Sequence, residues 1–165
     1  MTNALNVVPK PDDIETGVAN RDAIAQALSD VLADTYRLIF KTHAYHWNVT
    51  GPLFFSIHKR TEEQSEEMFA AADEVAERIR ALGKLAPASF AALEKNSVLK
   101  DKESLPSVGG MVADLAGDHE RVAHRLHALI RLADAGNDDV TADLATARSA
   151  FHEKAAWMLR AIAAE

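Results

Sequence analysis

The sequence contains no cysteine. That removes disulfides, thiolate metal sites and thiol redox chemistry together. Proline and glycine are scarce, at five and seven in 165 residues, so long helices meet few breakers. No apolar run approaches the roughly 20 residues that a membrane-spanning helix needs. The N-terminus has neither the basic start nor the apolar centre of a secretory leader. Basic residues are outnumbered by acids, 18 to 25, for a formal net charge of −7. Acidic character attracts cations and repels phosphate backbones, which favours metal handling over avid DNA binding. What is present is 48% hydrophobic, enough for one compact core. The expectation is a soluble, cytoplasmic, helical protein with no membrane partner.

Residues 1–19 include Pro9, Pro11 and Gly17 and show little apolar periodicity. They are expected to form a flexible tail, with residues 20–165 as the folded domain. Asn20 is placed to cap a first helix over residues 21–49. Its inward stripe is Ile24, Leu28, Val31, Thr35, Leu38 and Thr42, and the same stripe continues onto His46. Gly51-Pro52 breaks the chain, and a second helix is expected over residues 55–82, ending at Gly83. Its stripe is Ser65, Met68, Ala72, Val75, Ile79 and Leu82. A long connection over residues 84–106 carries a short helix that Ser89 can cap. Ser107 should cap the third long helix, to about residue 135, with His119 on its inner face. The fourth follows Gly136-Asn137-Asp138, and its expected core face is Val140, Leu144, Ala147, Phe151, Ala155, Met158 and Ile162.

The ligand-type residues concentrate in THAYHWNVTGPLFFSIHKRTEEQSEEMFAAADEVAERIRALG. His58, Glu62, Asp73 and Glu77 fall at roughly 0°, 40°, 60° and 100° on one helical wheel, hence on one side. Glu62 and Asp73 are still about 16 Å apart along the axis, far beyond metal–ligand bonds of about 2.0–2.2 Å. The helix therefore carries two half-sites, His58/Glu62 and Asp73/Glu77, each an i, i+4 pair. A two-fold axis across antiparallel copies would join opposite halves into two identical sites.

The pattern HW-x4-G-x2-F-x3-H, an acid four residues on, and D-x-x-x-E in DEVAERIRALG resembles the signature of the Dps family, the miniature ferritins of starved bacterial cells. The resemblance spans nearly all of residues 20–165. It implies an all-α, ferritin-like four-helix bundle, with the short helix in the long crossover between the second and third long helices. It implies a ferroxidase site shared by two chains: His46, His58 and Glu62 from one, Asp73 and Glu77 from the other. At the position of Glu62 the family often has Asp. The implied substrate is ferrous iron, oxidised by hydrogen peroxide or dioxygen, with ferric mineral stored inside a homododecameric shell and DNA spared oxidative damage. Acids at the start of the last helix line an iron-entry pore in the family, which here selects Asp139 and Asp143. Trp47 reads as a core or interface aromatic, with a second role as interceptor of stray oxidising equivalents near the iron.

Two alternatives have their own features. DLAGDHERVAHRLH is rich in ligand types but contains neither HExxH nor ExxH, so no second metal site is assigned to it. A nucleoid-compacting DNA binder with incidental metal binding is the alternative function. Its difficulty is the tail, where Lys10 stands among Asp12, Asp13 and Glu15, which predicts weak DNA binding.

Overall fold

The computed structural model describes residues 4–163. Five α-helices follow a short 3₁₀ turn at Ala4–Asn6: α1 Arg21–Asn48, α2 Phe54–Ala81, α3 Phe90–Asn96, α4 Val108–Ala135 and α5 Asp139–Ala163. There is no strand among the described residues. The four long helices form the bundle, and the expected boundaries of the first two lie within one residue of those observed.

Cross-helix contacts fix the directions. His46 meets His58, so α1 and α2 are an antiparallel hairpin. Residue 119 meets 152, so α4 and α5 form a second. Lys41 meets Asp118 while Asp34 meets Arg125, so α4 also runs against α1. Hence α2 and α4 run parallel and need a long crossover, the connection found in ferritin-like bundles. That crossover is anchored by Asp34, which is fully buried. Its carboxylate accepts from Ser97 Oγ at 2.7 Å and from the Val98 amide at 2.9 Å, and pairs with Arg125 at 2.8 Å.

Helix ends follow local chemistry. Ser89 and Ser107 cap α3 and α4 as expected, accepting from the amides of Ala92 and Gly110. Gly83 has φ +81°, and the bonds Gly83 N to Arg80 O and Lys84 N to Ile79 O close α2 with a Schellman motif. Asn137, at φ 55°, does the same for α4. Asn20 departs from expectation. It occupies the cap position with a left-handed backbone, and its side chain accepts no capping hydrogen bond. Asparagine tolerates that conformation, so it serves here as a turn residue.

The predicted stripes of α1 and α2 are buried throughout, and His119 is buried in α4 as expected. The α5 face is a correction. Val140 is 61% exposed, and the buried set is Thr141, Ala145, Arg148, Ser149, His152, Ala155, Ala156 and Leu159. Ala155 is buried as expected and Leu144, Phe151 and Ile162 pack partly buried against the core, but the centre of the face lies a residue over because it carries buried polar groups with partners. Arg148 grips Glu67 of α2 through both terminal nitrogens, and His152 bonds His119.

Part of the expected tail lies against the bundle. The Asp12 amide donates to Gly83 O at 3.0 Å, Asp12 pairs with Arg80 at 2.7 Å, and the Ala19 amide donates to Gly136 O at 2.8 Å. Leu5, Val7 and Val8 are exposed. Residues 1–3 of that tail and 164–165 of the domain lie outside the described residues.

Candidate metal centre

His46 stands in the last turn of α1 and His58 early in α2, on either side of the break at Gly51, whose φ is +90°. The reversal folds the two rings onto each other. Their centres are 3.7 Å apart with planes 16° from parallel, and Phe54 stacks on the far side of His58 at 4.9 Å. Each ring is also tied to the other residue's backbone. His46 Nδ1 lies 2.8 Å from His58 O, and His58 Nδ1 lies 3.0 Å from His46 O. A carbonyl can only accept, so both Nδ1 atoms carry the proton. In the neutral ring Nε2 then keeps its lone pair, the form in which imidazole ligates a metal. Thr61, one turn along α2, places its Oγ1 3.3 Å from His46 Nδ1.

Glu62 follows His58 by one turn. The Lys59 ammonium, which pairs with it, holds its carboxyl below the usual carboxylate range. The carboxylate is thus charged. Asp73 and Glu77 are exposed on α2, and no hydrogen bond or ion pair within the chain engages either among the described residues. No three His, Cys, Asp or Glu side chains converge tightly enough to hold an ion within one chain, again among the described residues. The structure thus stacks His46 on His58, holds Glu62 one turn along α2 in an ion pair with Lys59, and leaves Asp73 and Glu77 about three turns and more further along the same helix.

Trp47, expected in the core or at an interface, is not in the core of the single chain. It is 64% exposed in the single chain and stacks on His43, with ring centres 5.5 Å apart and planes 15° from parallel. It belongs to a belt that the sequence reading missed. Tyr36, Phe40 and Phe69 are likewise exposed and, with His43 and Phe90, border a groove of about 560 Å³ on the α1/α2 side. The signal was available: Tyr36, Phe40, His43 and Trp47 recur at i, i+4, i+7 and i+11, a second stripe beside the core stripe.

Asp139 and Asp143 are exposed on the first turns of α5. The neighbouring Asp138 is not. It is buried, accepts from the Thr141 amide at 2.9 Å and from Thr141 Oγ1 at 2.6 Å, and pairs with Arg78 of α2 at 2.6 Å. It caps α5, a role that D-x-x-T could have signalled.

Comparison with known proteins bears on these features. A model of the ferritin-like domain matches residues 25–165. The chain is 39% identical over 142 residues to an uncharacterised low temperature-induced protein of Nostoc, covering 85% of this chain and 79% of that one. It is 33% identical over 138 residues to the DNA protection during starvation protein of Brevibacillus brevis, covering 84% and 93%. The crystal structure of the Dps protein from Vibrio cholerae, described as one of a broad superfamily of ferritin-like diiron-carboxylate proteins, superposes with a TM-score of 0.81 at 28% identity, covering 86% of this chain and 89% of that one.

Proposed function

The chain belongs to the Dps family of ferritin-like proteins, and from that premise we propose that it oxidises ferrous iron at sites shared by two subunits, stores the ferric product and so protects DNA from oxidative damage. The observation that carries this reading is the reciprocal His46–His58 pair. Two stacked imidazoles each spend Nδ1 on the other residue's carbonyl, which leaves Nε2 of each free for a metal, with the charged Glu62 one turn along α2.

Asp73 and Glu77 of the partner subunit complete the site. The two pairs on α2 are symmetric about Glu67 and Met68, so an antiparallel copy crossing there lays each pair over the other kind. Phe69, 61% exposed, and the groove aromatics supply the apolar area for that contact. Imidazole and carboxylate donors suit ferrous and ferric iron alike. Two ferrous ions surrender one electron each, and one hydrogen peroxide takes both. Its O–O bond breaks to two hydroxides, and no hydroxyl radical is released. Dioxygen is the alternative oxidant. The side chains hold the ions close enough for both electrons to arrive together.

Asp139 and Asp143 draw cations toward an entry pore, and twelve copies close the shell. DNA is spared by removing ferrous iron and peroxide rather than by coating it, since a chain of net charge −7 binds phosphate backbones poorly. The experiment is anaerobic loading with ferrous iron, then stopped-flow addition of peroxide, on the wild type and on His58→Ala/Glu62→Ala. The variant should lose most of the fast ferric absorbance. Equal rates in the two proteins would overturn the assignment.

A further inference from the structure

Thr42, Gln64 and His119 come from three helices and stand at one height in the bundle. The contacts between helices place them there. His46 meets His58 and Thr61, which sets the stretch around residues 62–65 of α2 opposite Thr42. Lys41 meets Asp118 and Tyr45 meets Asp114, which sets Gly117 opposite Thr42, two residues from His119. At a rise of about 1.5 Å per residue, the three lie within about 3 Å of one level. His119 in turn meets His152. Each of the four long helices thus sends one polar side chain into this layer, and all four residues are more than nine-tenths buried.

The layer is not satisfied from within the protein. Thr42 Oγ1, Gln64 Oε1 and His119 Nε2 are the buried side-chain atoms that lack a hydrogen-bond partner among the described residues. Buried polar groups are nearly always paired, and exceptions point to water or an ion. An ion is the poorer occupant. Burial keeps His119 uncharged, and the other two groups are a hydroxyl and an amide, so a buried charge would go unpaired. Water is neutral and asks only for polar partners and a little room. Ser65, Ala116 and Ala155, all buried and all short, stand near the same level.

We propose that internal water, one molecule or a hydrogen-bonded pair, occupies the centre of the bundle and bridges Thr42, Gln64 and His119. Water suits this set because it both donates and accepts. Gln64 Oε1 can only accept, and the Thr42 hydroxyl can do either. His119 Nε2 takes whichever role its Nδ1 bond to His152 leaves it, and water meets both. The site owes nothing to iron chemistry. It is a bound-solvent position that joins α1, α2 and α4 where apolar packing is interrupted.

The test is a high-resolution crystal structure of the assembled protein, wild type and Thr42→Val, with thermal melts of both. The wild type should show density within about 2.7–3.2 Å of at least two of the three atoms, without anomalous signal. Thr42→Val keeps the shape of the side chain and removes its hydroxyl, so that density should vanish or shift. The melts read a sign. With water bound, the variant loses a hydrogen bond, and its melting temperature should fall by roughly 2–4 °C. In a dry layer the same change removes an orphaned atom, and the melting temperature should rise. Thr146→Val is the control for the exchange itself, since Thr146 is exposed and its Oγ1 bonds the Ala142 carbonyl of its own helix. Its melt should move less than that of Thr42→Val. A dry layer, an anomalously scattering ion in it, or a higher melting temperature for Thr42→Val would overturn the proposal.

Discussion

The Nδ1 atoms of His119 and His152 lie 2.8 Å apart in the middle of the bundle, so one donates its proton and the other must accept it. Both rings are buried at 1% exposure or less. Burial pushes His119 down to about 3 and His152 well below its ordinary value, with Arg148 acting against protonation at both. The folded pKa values are depressed, so the unfolded chain takes up protons first as pH falls. The stability present above about pH 6.5 is therefore lost progressively from there down to about pH 3. Each histidine contributes at most about 1.4 kcal/mol per pH unit in that window. Melting temperatures from pH 7.5 to pH 4 should fall, and His152→Gln, which keeps a hydrogen-bonding group but does not titrate, should fall less steeply. Parallel curves would show that the pair is not the source.

The proposed two-chain site allows a complementation test. One variant lacks His58 and Glu62, another lacks Asp73 and Glu77, all as Ala. Each alone should be nearly inactive. Unfolded, mixed equally and refolded, about half the dimers are hybrids, and each hybrid has one intact site. Roughly a quarter of wild-type ferroxidation should return. Activity that stays at the single-variant level, with hybrid assembly confirmed by mass spectrometry, would show that each site belongs to one chain.

Neighbouring acids at the start of α5 should behave differently. Asp139→Asn/Asp143→Asn should slow iron uptake and leave assembly intact, with at most about 0.3–1 kcal/mol lost per acid from the helix end. Asp138→Ala should instead damage folding. It removes the cap and leaves Arg78 without its buried partner, a change on the order of 3–5 kcal/mol. Uptake kinetics and thermal melts of the two proteins separate the effects.

DNA retention should be weak and salt-sensitive. In a gel shift, plasmid should be released by physiological salt. Retention there would contradict the reading of the acidic chain and its tail.

Where apolar residues recur at helical spacing, sequence predicted structure closely: the α1 and α2 stripes, the Ser89 and Ser107 caps and the Gly83 stop all recur in the fold. It failed where polar groups are buried in pairs. The core face of α5 holds Arg148 and His152, whose partners Glu67 and His119 lie on other helices, so no local pattern announces them. The proposed metal centre divides in the same way. Spacing separated the two half-sites, because helical rise is a property of the chain itself. The mutual bonds that fix both histidine tautomers involve backbone carbonyls across a reversal, and spacing does not encode them.

Gly83 carries two separate constraints. Its positive φ disfavours any side chain, and a Cβ there would come within 2.3 Å of the Asp12 carbonyl oxygen. The first constraint belongs to the helix end and persists in any version of the bundle. The second exists only while the N-terminal segment passes over that spot. In a lineage that had shed this segment, alanine at 83 would cost only the left-handed backbone, roughly 1–2 kcal/mol. With the segment present, the same change must also expel it from the end of α2. Drift at this one codon is therefore a marker of whether the segment is docked or lost.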